Sequence, residues 1–110
     1  MMIIVFVTAP KGKGEEIAKR ILERRLAACI NLVTVKSMYW WENKIVHEEE
    51  DLLIIKTRKD IFDKLSNFIK EIHPYKVPEI IALKASDVNI EYLSWIESET
   101  SLKKIRSAEK

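Results

Sequence analysis

Apolar residues run almost without interruption from Met2 to Thr8, through Ile3, Ile4, Val5 and Val7, which is the pattern of a strand buried on both faces. Pro10, Gly12 and Gly14 then mark a loop. From Gly14 to Leu26 the period changes. Ile17, Ala18, Ile21, Leu22 and Leu26 fall on one side of a helix. Glu15 and Glu16 stand at its positive end and Arg24 and Arg25 at its negative end, as the helix dipole favours. Ala28 to Trp41 and Lys44 to Thr57 both read as strands, with Glu42 and Asn43 alone between them. Asn43 tolerates the left-handed backbone that a tight turn needs.

A second helix follows from Lys59 to Ile72, with Ile61, Phe62, Leu65, Phe68, Ile69 and Ile72 in a single stripe. Pro74 stops it. Glu79 to Ala85 is the last strand, and Asn89 to about Thr100 a third helix carrying Leu93 and Ile96 with Tyr92 and Trp95 beside them. The basic tail, residues 101–110, is expected to fray. The predicted order is β-α-β-β-α-β plus a terminal helix in one domain spanning residues 1–110: an α+β, ferredoxin-like arrangement with a long hairpin between its second and third strands.

Two features point beyond a lone chain. Each hairpin arm would be roughly 46 Å long at about 3.3 Å per residue. A compact chain of this size is only about 34 Å across. In addition, Met2–Val7, Leu52–Ile55 and Ile80–Leu83 are apolar at consecutive positions, so both sheet faces are apolar. Helices on one face cannot cover the other, and a bare apolar sheet face marks an interface. A closed homo-oligomer is expected.

Composition narrows the function classes. With 110 residues and 47% hydrophobic content, one packed domain is the natural reading. Nineteen basic against 17 acidic residues give a net charge of +2, no electrostatic footprint for nucleic acid. The first apolar run is too short for a membrane span, so neither nucleic acid nor membrane is an expected partner. The single cysteine, Cys29, excludes an internal disulfide and suits a reducing cytoplasm.

The densest chemical signal is His73-Pro74-Tyr75-Lys76-Val77-Pro78-Glu79. His73 there is either a metal ligand or proton carrier, with Glu79 as its carboxylate partner, or the cap of a rigid helix-to-strand connection. Cys29 is either a soft-metal ligand or an inert core thiol. The run Glu48-Glu49-Glu50-Asp51 puts His47, Glu49 and Asp51 on one side of a strand, as a divalent-ion trio or a charged, partner-facing edge. Tyr39, Trp40 and Trp41 crowd the hairpin tip, where burial against a neighbouring subunit fits better than base stacking. The loop from Pro10 to Gly14, with Lys11 and Lys13, has the setting of an anion cradle but not the nucleotide-binding pattern. No Ser/His/Asp or Cys/His catalytic grouping can be assembled, so no enzyme is expected.

Four segments, in this order, resemble one family: Arg25-Leu26-Ala27-Ala28-Cys29-Ile30-Asn31, Tyr39-Trp40-Trp41-Glu42-Asn43-Lys44, His73-Pro74-Tyr75-Lys76-Val77-Pro78-Glu79-Ile80 and Tyr92-Leu93-Ser94-Trp95. They are similar to the CutA divalent-cation tolerance proteins from Met2 to about Glu99. The resemblance implies a stable homotrimer of ferredoxin-like subunits whose hairpins pair between chains, in the cytoplasm, linked to copper and other divalent ions. It implies no firm cofactor beyond such a cation. Some family members carry Cys at the position of Val7 and His at that of Ile72, proposed with the match of His73 as copper ligands; only His73 is present here. Asn43 stands for the usual turn glycine, and Lys76 for a residue that is commonly acidic or an amide. The family's likeness to the PII signalling trimers adds an alternative, a small-molecule or anion sensor using clefts between subunits. A structural adaptor without ligand is the third reading.

Overall fold

The computed structural model describes residues 1–109. Its elements are β1 (Met2–Pro10), α1 (Gly14–Glu23), β2 (Cys29–Trp41), β3 (Lys44–Arg58), α2 (Phe62–Ile72), β4 (Ile80–Lys84), α3 (Ile90–Glu99) and α4 (Leu102–Ala108), with a 3₁₀ turn at Lys59–Ile61 leading into α2. The strands form one antiparallel sheet in the order β2-β3-β1-β4. This is a mixed α+β fold, as the alternation of periods predicts.

Residue alternation gives each side of the sheet its own list. Ile3, Val5, Val7 and Ala9 of β1 lie level with Thr57, Ile55, Leu53 and Asp51 of β3, and the first three pairs are buried. These residues join Ile17, Ala18 and Ile21 of α1 and Leu65, Phe68 and Ile69 of α2 in the main core. On the other side Ile4, Phe6, Leu52 and Ile54 are only half-buried, and Val33, Ile81 and Leu83 are 47–49% exposed. Helix α3 packs against β3, with Ile96 buried, and brings Tyr92 onto the Cys29 end of this side. The rest of the side has no cover among the described residues.

The hairpin projects. Pairing with β1 ends at Pro10↔Glu50, so the far ends of both arms have only each other, and the molecule measures 45 × 34 × 21 Å. Both turn residues take the left-handed conformation, Glu42 at φ 49° and Asn43 at φ 61°, as a two-residue turn between twisted strands requires.

Two expectations need correction. Helix α1 ends at Glu23, three residues before the predicted Leu26, because Arg25 turns left-handed at φ 61°. Its N–H bonds Leu22 O at 2.9 Å and that of Leu26 bonds Ile21 O at 3.3 Å, a Schellman stop built without glycine. The tail expected to fray folds as α4. Ser101 Oγ accepts from Lys104 N at 3.3 Å, and Ile105 inserts into the main core. One buried apolar residue in a basic segment suffices here because Leu26 and Phe68 leave it a place in the same cluster.

Candidate functional site

The most organised polar region lies where the hairpin leaves the sheet. Each member of the acidic run has its own partner. Glu49 accepts from Lys11 Nζ at 3.1 Å across a largely exposed gap. Asp51 Oδ2 accepts from the backbone N–H of Gly12 at 2.9 Å and of Gly14 at 3.0 Å. Glu50, 6% exposed, accepts from Tyr75 Oη at 2.8 Å. On the same strand Glu48 accepts from Tyr39 Oη at 2.5 Å. The run that reads as a solvated edge or an ion-binding trio is a hub. It ties the Pro10–Gly14 loop and the His73–Glu79 connection to the base of the hairpin.

The anion cradle is therefore filled from within. Asp51 supplies the negative charge that the start of α1 favours. Gly14 is required by this approach: a Cβ there would lie 2.7 Å from Asp51 Cβ and 3.0 Å from Leu32 Cδ2. Gly12, at φ +89°, makes the loop's reversal.

His73 is 8% exposed, and both ring nitrogens are engaged. Nε2 lies 2.8 Å from Thr8 O, which can only accept, so Nε2 carries the proton. Nδ1 accepts the N–H of Tyr75 at 3.0 Å, and the two rings meet at 4.9 Å. This neutral tautomer fixes the position of Tyr75, whose hydroxyl then reaches Glu50. Burial and the neighbouring Glu50 push the Tyr75 phenol well above its ordinary range. Burial, then the charge of Glu50, raises the Glu79 carboxyl. Glu79 makes no hydrogen bond to His73; the imidazole's partners are Thr8 and Tyr75.

Cys29 lies elsewhere. It is half-buried on β2, level with Lys56 and Ile4, and its thiol meets the Tyr92 hydroxyl, whose pKa is raised by burial and then by that thiol. His73 meets β1 at Thr8, four residues along the strand from Ile4, or about 13 Å. The structure thus does not bring Cys29 and His73 into one coordination sphere. Among the described residues no three His, Cys, Asp or Glu side chains are grouped to hold a metal ion. A divalent cation does not fit these donors, because His73 would have to give up a bond on either nitrogen.

Tyr39, Trp40 and Trp41 are exposed, Trp40 by 72% and Trp41 by 64%, but they do not form one patch. Tyr39 and Trp41 face the same side as Val33, whereas Trp40 faces the side that the helices cover further down. Sequence reading did not anticipate the buried Glu50–Tyr75 bond or the Asp51 plug. Two glycines opposite an acidic run were the signal for the plug; nothing local marks Tyr75 as a partner of Glu50.

Comparison with known proteins agrees with this architecture. Residues 3–99 match the family model described as CutA1 divalent ion tolerance protein. The chain is 46% identical over 100 residues to the divalent-cation tolerance protein CutA of Pyrococcus horikoshii, covering 90% of this chain and 98% of that protein. It is 45% identical over 100 residues to the chloroplastic protein CutA 1 of rice, covering 89% of this chain but only 56% of the longer plant protein. Among solved structures, the periplasmic divalent cation tolerance protein CutA of Archaeoglobus fulgidus superposes with a TM-score of 0.90 at 38% identity, covering 92% of this chain and 100% of that one.

Proposed function

This chain belongs to the CutA1 divalent ion tolerance protein family, and from that premise we propose that it acts in tolerance of divalent metal ions as a homotrimer of ferredoxin-like subunits, without catalysis. The observation that carries the assembly is the sheet side that α3 covers only at its Cys29 end. Phe6, Ile54, Val33, Ile81 and Leu83 form an apolar surface on the same side of the sheet as Tyr39 and Trp41 of the projecting hairpin. Three copies meeting through this side would remove it from water, and each hairpin would find its missing neighbour strand on another chain. The strand order β2-β3-β1-β4 with both crossovers helical supports the ferredoxin-like reading. The proposed compartment is the cytoplasm, where the free thiol of Cys29 stays reduced.

Direct capture of the cation by His73 and Cys29 is not part of this reading, since the imidazole is spent on holding Tyr75 and the thiol lies apart. Light scattering on the purified chain tests the assembly. A mass of three chains is expected, falling towards one in Leu83→Glu, which would bury an unpaired charge at the interface. A wild-type monomer at micromolar concentration would overturn the assembly. Growth of a host lacking its own homologue, under copper or zinc load, tests the tolerance role; no gain on supplying this chain would count against it.

A further inference from the structure

The family match stops at residue 99, and the two archaeal proteins named above are covered over 98% and 100% of their length by 90% and 92% of this chain. The body of the fold is therefore complete before α4 begins, and α4 is an addition to it. The addition is lightly held. Of its seven residues only Ile105 is buried, beside Leu26 and Phe68. Its side chains otherwise reach the body through Lys104–Glu99 and Glu109–Lys64, each 3.5 Å apart and open to solvent. Exposed pairs of this kind hold little. A helix of seven residues does not persist in water by itself, so α4 is helical because it is docked.

We propose that the groove between α2 and the end of α1 is a docking site for a short basic helix with one branched aliphatic anchor, and that α4 is its built-in occupant, a releasable strap that keeps the site closed. Leu26 and Phe68 form the floor, which Ile105 covers. The Arg24 guanidinium lies 4.7 Å over the Phe68 ring and walls one end. Docked α4 does not fill the groove: a cavity of about 480 Å³ remains between it and α2. Asp63 and Glu71 of α2 line that cavity, and neither makes an ion pair among the described residues. The occupant is of the opposite sign, with Lys103, Lys104 and Arg106 against Glu109 alone. Charge of this kind sets partner choice and register more than strength. Strength comes from the single anchor, so the strap can open while the body stays folded. The site lies on the helix-covered side of the sheet, away from the side proposed to meet other copies, and it stands without the tolerance reading.

Hydrogen exchange and a peptide titration test the strap. In the unaltered chain the amides of Ile105 and Glu109, bonded to Ser101 O and Ile105 O, should exchange at least about tenfold faster than those of β1, the strand paired on both edges. Ile105→Ser in the full chain should release the strap and leave circular dichroism of the sheet and the mass by light scattering unaltered. A synthetic peptide of residues 101–110, followed by NMR, should then shift the Leu26 and Phe68 signals of that variant saturably. The same peptide should leave the unaltered chain unchanged, because the tethered α4 competes at an effective concentration on the order of millimolar. A peptide carrying Ile105→Ser should bind at least about tenfold more weakly, the anchor being lost. Glu71→Lys in the released chain should weaken the original peptide by about two- to fivefold. Exchange of α4 in step with β1, unfolding of Ile105→Ser, no saturable shift, or equal shifts with either peptide would overturn the proposal. None of these readouts depends on how many chains assemble.

Discussion

The two sides of the sheet are built from neighbouring residues of the same strands, yet they have different fates. Val5, Val7, Leu53 and Ile55 are fully buried beneath α1 and α2. Ile4, Phe6, Leu52 and Ile54, one position away, are half-exposed, and Ile81 and Leu83 beside them are close to half-exposed. Side-chain chemistry does not separate the lists. What separates them is where the helices return. The first side can stabilise the chain alone; the second can do so only with company.

The sharpest way to break this comparison is to truncate one leucine on each side. Leu53→Ala should cost about 2–5 kcal/mol by chemical denaturation, from lost transfer energy and the cavity left behind. Leu83→Ala should cost far less per folded chain, and its effect should grow as protein concentration falls. Equal, concentration-independent losses would erase the distinction.

The closed end of the covered side supplies the next test. Gly14→Ala forces a Cβ to within 2.7 Å of Asp51 Cβ, and overpacking of this kind costs about 1–3 kcal/mol. Asp51→Ala should lose a comparable amount, about 1–3 kcal/mol, by leaving the Gly12 and Gly14 N–H groups without their acceptor. Asp51→Asn keeps an acceptor oxygen and should lose less. A thermal midpoint unmoved by all three would show that the loop is not tied to the hairpin.

On the bare side, the Tyr39 phenol is raised from 10.0 to about 12, chiefly by its hydrogen bond to Glu48. Tyr75 and Tyr92 are raised as well, and burial is the main cause for both. A phenol that holds its proton more tightly when folded stabilises the fold fully below its unfolded pKa. That contribution is lost as pH climbs through the folded value. Spectrophotometric titration should therefore find no phenolate forming in the usual range near 10, and stability should fall as pH rises towards about 12. Glu48→Gln should bring one phenol back down; a normal curve in the unaltered protein would contradict the Tyr39–Glu48 bond. The smallest effect belongs to Lys11→Ala. Its ion pair with Glu49 is half-exposed on both sides, and its removal should change stability by about 0–1 kcal/mol.

Much of the architecture was legible in the chain. Period two and period three-and-a-half alternate cleanly, and Asn43 marks the turn. The errors fell where distant residues decide. Arg25 ends α1 although no glycine announces it, since its left-handed turn is held by backbone bonds and its side chain reaches Glu99 Oε2 at 2.8 Å. The basic tail folds because Ile105 finds a place in the core beside Leu26 and Phe68. Of the candidate site residues, the sequence singled out His73 and Cys29 but not their surroundings, because Thr8 meets His73, and Tyr92 meets Cys29, from far along the chain.

Local patterning by itself determined the elements from β1 to α3, their order, the length of the hairpin and the surplus of apolar sheet surface, because each follows from the spacing of residues within a few turns or pleats. Only the tertiary structure decided which side of the sheet is covered, that Asp51 fills the loop before α1, and that His73 is committed to Thr8 and Tyr75. Those are meetings of residues up to 65 positions apart, and register and packing, not local preference, bring them together.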